Sequence, residues 1–122
     1  MAPEPAGTLM RAEAAEAGAA VARFLAANHD VLARIGARLR AQPPEVVVTC
    51  ARGSSDHAAT YGKYLIETLA GVVTSSAALS VSSVYPTAHA DAQPVRLCIA
   101  ISQSGRSPDL IAAVEAQRDS GA

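Results

Sequence analysis

Val46-Val47-Val48-Thr49-Cys50-Ala51-Arg52-Gly53-Ser54-Ser55 decides the fold of this chain. An apolar, β-branched run breaks at a glycine, passes into serines, and continues as a helix-like stretch from His57 to Ala70. Because the run lacks polar alternation, it predicts a strand over Glu45–Ala51 that is buried on both faces, as in a parallel sheet. The arrangement recurs. Leu97-Cys98-Ile99-Ala100-Ile101 leads into Ser102-Gln103-Ser104-Gly105, and Ser107-Pro108-Asp109 opens another helix. That tripeptide combines a capping hydroxyl, a proline at the first helical position and an acid in the first turn.

Outward from these runs, Val72–Ser76 reads as a second strand and Val95–Ile101 as the third. Ala77–Pro94 reads as a short helix plus a loop around Pro86. Tyr61, Tyr64, Leu65 and Leu69 are the apolar positions of the first helix after a strand, and Gly71 is its stop. Leu110, Ile111 and Val114 are the core positions of the last helix. Ahead of the sheet, Thr8 to Ala27 has helical spacing, and Asn28 or Asp30 marks the start of a second helix that Pro43-Pro44 ends. The expected organisation is therefore a helical hairpin over 1–43, then a three-layer α-β-α doubly wound parallel sheet over 44–122. A flavodoxin-like strand order 2-1-3 leaves the third strand as an edge. Val95–Ile101 is too apolar for a bare edge, which implies a fragment, or a sheet completed by another chain.

Composition narrows the function. Half the residues are hydrophobic, 17% are charged, and the net charge is −1. That is a globular composition, with no broad attraction for nucleic acid or anionic lipid. Aromatics are 3%, too few for base-stacking platforms. No apolar run spans a bilayer, and Met1–Gly7 lacks the pattern of a secretion signal, so the expectation is a cytoplasmic protein. Cys50 and Cys98 fall inside the strands and read as reduced core residues. With His57, His89 and Asp91 they form no metal-ligand spacing, so no metal and no cofactor are expected.

The two serine turns leave strands one and three, whose following helices lie on opposite faces, so a crevice opens between their carboxyl ends. Hydroxyls of Ser55, Ser102, Ser104 and Ser107, the Gln103 amide and local backbone N–H groups are donors suited to a phosphate. Gly53 and Gly105 allow tight turns beside a ligand, and Ser54 completes the expected lining. Arg52 and Arg106 flank the turns, either tuning the field or standing as solvated charges. There is no Gly-x-Gly-x-x-Gly and no Gly-Lys-Ser/Thr, so a dinucleotide site and a P-loop are disfavoured.

The segment from Cys50 to His57, continuing through Lys63-Tyr64-Leu65-Ile66-Glu67, and the segment Ile101–Ser107 resemble the two phosphate-binding motifs of the sugar isomerase (SIS) domain family. The likeness is to the isomerase part of glucosamine-6-phosphate synthase, and more closely to stand-alone double-SIS proteins such as glucosamine-6-phosphate deaminases. Met10-x-x-Glu13 is similar to the start of that region. The resemblance covers Thr8 to the end of the sequence. It implies a five-stranded sheet, a homodimer in the full-length form, and a hexose or hexosamine 6-phosphate as ligand. Ser55, Ser102, Gln103, Ser104 and Ser107 would hold the phosphate, and Gly53 and Ser54 would line the site. The sequence corresponds to the first three strands of the first SIS domain, and the family's catalytic Glu, Lys and His match nothing in it. Glu67 reads as a solvated helix carboxylate. The expectation is a sugar-phosphate-binding part of an isomerase or aminosugar-phosphate deaminase, with a non-catalytic regulatory module as the alternative.

Overall fold

The computed structural model describes residues 7–85 and 94–122. The expected loop at Pro86, together with His89, Asp91 and Met1-Ala2, lies outside the described residues. The chain divides into two compact units, one ending at Ala41 and the other starting at Gln42.

The first unit contains α1, a single 33-residue helix over Leu9–Ala41, where the sequence predicts a hairpin. Nothing between Asn28 and Asp30 breaks a helix, and helical spacing continues through Val31, Leu32 and Ile35. The Asn28 amide donates to the Phe24 carbonyl at 2.8 Å, one turn back, so the side chain expected to cap a new helix is absorbed by the existing one. Thr8 caps the N-terminus, its hydroxyl accepting from the Arg11 N–H at 3.3 Å. No residue of α1 is buried.

The second unit is a parallel sheet of order β2-β1-β3, with β1 at Val46–Ala51, β2 at Val73–Ser76 and β3 at Arg96–Ile101. This is the predicted α/β order. The helices α2 (Ser54–Ala70), α3 (Leu79–Val84) and α4 (Pro108–Asp119) complete it. Along β1, side chains alternate between the faces. Cys50 joins Leu79, Leu110 and Ala113 in one core cluster, with Val48, Cys98 and Val114 packed against it. On the other face, Val47 and Thr49 are buried, as is Ala59 of α2. Tyr61, Tyr64, Leu65 and Leu69, the apolar positions of this helix, are exposed. Ala59 is the buried residue of α2, and Gly62, Lys63 and Ile66 are half-buried. In α4, Leu110 is buried and Val114 half-buried, but Ile111 is exposed. No helix of the described residues is long and apolar enough to cross a membrane.

Cys50 and Cys98 are free thiols with their sulfurs 3.8 Å apart. Burial pushes the Cys50 thiol from its ordinary 9.0 up to about 12, and the adjacent Cys98 adds to the rise. The unfolded chain would release this proton near the ordinary value while the folded chain keeps it. Stability from the neutral buried thiol is therefore complete below pH 9.0 and is lost as pH rises toward 12. Unfolding free energies across pH 7 to 11 in a Cys50→Ala variant should consequently fall less steeply at the alkaline end than in the unmodified chain. Parallel slopes would contradict this.

Candidate functional site

β1 and β3 pair in register to their last residues, Ala51 beside Ile101. Both following turns therefore leave the sheet at the same level, at its carboxyl end. At the first, Gly53 takes φ 56° and ψ −130°, a conformation open to glycine but strained for other residues. It turns the chain so sharply that α2 begins at Ser54, three residues ahead of the expected His57. Ser54 and Ser55 thus belong to the helix's first turn. At the second, Gly105 takes φ 63° and folds Ser102–Arg106 into a compact loop ahead of α4.

Between the turns lies a cavity of about 190 Å³. Ser55 reaches it from α2, and Ser102, Gln103, Ser104 and Ser107 from the second turn, with Arg52, Ile101 and Leu110 completing the lining. The five residues named from the sequence as phosphate ligands are thus brought to one cavity. Gly53, Ser54 and Gly105 are not among its lining residues; the two glycines shape the turns, and Ser54 is exposed. Sites that enclose a drug-sized ligand usually run to roughly 300–1,000 Å³, so this cavity suits one polar end of a metabolite.

The hydrogen bonds decide what the hydroxyls can do. Ser102 Oγ accepts from the Gly105 N–H at 2.9 Å, and Ser104 Oγ accepts from the Arg106 N–H at 3.3 Å. A hydroxyl carries one donor and two acceptor positions, so both keep their O–H to give. Ser107 stands at the N-cap of α4, but its side chain makes no capping bond, contrary to the role its tripeptide suggests. Its carbonyl accepts the Ile111 N–H at 3.0 Å, which starts the helix without the hydroxyl.

Glu67 and Lys63 are elsewhere. Glu67 Oε1 accepts from the Thr74 N–H at 3.0 Å and lies 3.9 Å from Lys63 Nζ, tying α2 to β2. The sequence reading left Arg52 undecided; it lines the cavity and pairs with Asp109 of α4. From the sequence, Ile101 reads as the end of the third strand and Leu110 as a core position, and neither as a lining residue. The signal for both was available: Ile101 is the last strand residue, and Leu110 lies three positions past the Ser107 cap, hence on the same helix face.

No protein-family model matches this chain, and no curated protein does. Among solved structures, this chain is similar to a crystal structure described as a "putative phosphosugar isomerase" from Silicibacter pomeroyi DSS-3. It matches with a TM-score of 0.81 and 43% sequence identity over 88% of this chain, which spans only 32% of that neighbour's length.

Proposed function

We propose that this chain belongs to the sugar isomerase (SIS) domain family and binds the phosphate of a hexose or hexosamine 6-phosphate. The observation that carries the reading is the convergence of Ser55, Ser102, Gln103, Ser104 and Ser107 on one cavity at the aligned ends of β1 and β3. O–H donors not consumed by their own loop, gathered in a small concave site, suit a ligand end made of acceptor oxygens. The likeness to a phosphosugar isomerase candidate supports the same ligand class. In a longer protein, the phosphate would act as a remote handle whose binding energy holds the sugar for aldose–ketose isomerisation, with or without ammonia.

Moving a proton between adjacent carbons requires a general base. The cavity lining holds no histidine and no carboxylate among the described residues. That observation favours a second reading, a sugar-phosphate-binding module without chemistry. Calorimetry with glucose 6-phosphate tests the binding that both readings share, and an isomerisation assay on the same preparation tests whether this chain carries chemistry of its own. Binding without turnover is expected of the 122-residue chain. Ser104→Ala should weaken binding by about 1–2 kcal/mol, the scale of one hydrogen bond to a charged group. Unchanged affinity would remove Ser104 from the site.

A further inference from the structure

The cavity lining carries one formal charge among the described residues, the Arg52 guanidinium. Its Nε pairs with Asp109 Oδ2, joining the first turn to the first turn of α4. Asp109 is itself held, because its Oδ1 accepts the Leu110 N–H at 3.0 Å and its side chain is only 24% exposed. The Arg52 side chain is 61% exposed. A guanidinium has five N–H donors in a rigid fork, so an ion pair through Nε leaves the terminal nitrogens to bind a second anion.

From this geometry we infer that Arg52 is a direct ligand of the bound anion and that Asp109 is a positioning residue. Asp109 fixes the guanidinium beside the cavity before the ligand arrives. The inference deepens the proposed function and rests on it. A free arginine must give up rotamer freedom when it grips a ligand; a pinned one has already done so. The pairing also sets the charge class of the ligand. The other side chains lining the cavity are neutral, so preference for a dianion over a monoanion comes chiefly from Arg52, whose attraction scales with ligand charge.

The test is a double-mutant cycle read by calorimetry, with glucose 6-phosphate as the dianion and glucose 6-sulfate as the monoanion. Arg52→Gln should weaken binding of the phosphate roughly tenfold and narrow its preference over the sulfate. Arg52→Lys, which keeps the charge but loses the fork, should recover part of the loss. Asp109→Asn gives the diagnostic sign. As a mere neighbouring charge, Asp109 repels the anion, and its neutralisation would tighten binding by the same factor with or without Arg52. As a positioning residue, its loss weakens binding when Arg52 is present and tightens it in the Arg52→Gln background. Melting temperatures taken alongside establish that each variant is folded.

Equal effects of Asp109→Asn in both backgrounds, or an Arg52→Gln variant that binds like the unmodified chain, overturn this inference. If the unmodified chain binds neither ester, the proposed function fails first. If it binds and Ser104→Ala weakens it while Arg52→Gln does not, the function stands and only this inference falls.

Discussion

Leu110→Ala should cost about 2–5 kcal/mol of folding stability, the usual range for truncating a buried leucine. Leu110 is 5% exposed and packs with Cys50, Leu79 and Ala113, where β1, α3 and α4 meet. The same side chain lines the cavity. Its removal therefore joins the new void to the existing cavity and, on the proposed function, should reduce phosphate-ester affinity as well. Urea unfolding measures the first effect and calorimetry the second. Ile111→Ala is the matched control. Its side chain is 44% exposed on the adjacent position of the same helix, so its cost should be a fraction of the other. Equal costs for the two truncations would mean that the core is not where these contacts place it.

The second large effect is expected at Gly53. An alanine there meets no heavy atom within 4 Å, so sterics between side chains contribute nothing. The backbone, however, sits at φ 56°, where an L-residue is strained by about 1–3 kcal/mol. Gly53→Ala should destabilise the fold by that amount, or relax the turn and shift Ser55 off the cavity. If the turn relaxes, affinity for glucose 6-phosphate should drop roughly tenfold, the equivalent of about 1.4 kcal/mol, although Gly53 is not a lining residue; if it holds, the cost appears in urea unfolding alone. Gly62→Ala makes the same chemical change within α2, also with nothing within 4 Å. Helical glycine is disfavoured relative to alanine by roughly 0.5–1 kcal/mol, so that variant should be more stable than the parent. Opposite signs from one substitution type isolate backbone conformation as the cause.

The sheet and its two turns were legible because short-range chemistry dictates them. Val46–Cys50 and Leu97–Ile101 have the composition of doubly covered strands, and Pro108 at the first helical position fixes where α4 begins. The positions of Ser55, Ser102, Gln103, Ser104 and Ser107 followed from that order alone. The continuous α1 was not legible in the same way. Asn28 and Asp30 favour caps in isolation, but a side chain that bonds to the turn behind it leaves the helix unbroken. The start of α2 was missed because a glycine's dihedral angles cannot be read from its identity. The buried face of α2 is not legible because its buried residue, Ala59, is one of the many alanines of the chain, while the large apolar side chains that catch the eye are exposed. Arg52 and Asp109 lie on different elements, and only the closed fold brings them together.

Ser102 and Ser104 have consequences for which esters can enter. Each oxygen accepts one main-chain amide of its own loop, which orients the hydroxyl and leaves its O–H and one acceptor position free. Were the proposed site to hold a phosphate, two such hydroxyls would favour a terminal group rich in bare oxygens. A second ester linkage at phosphorus would replace one of those oxygens with a bulky, weakly accepting arm. On the proposed reading, a diester, with one bare oxygen fewer, should bind this chain more weakly than the matching monoester, and calorimetry with the two compares them directly.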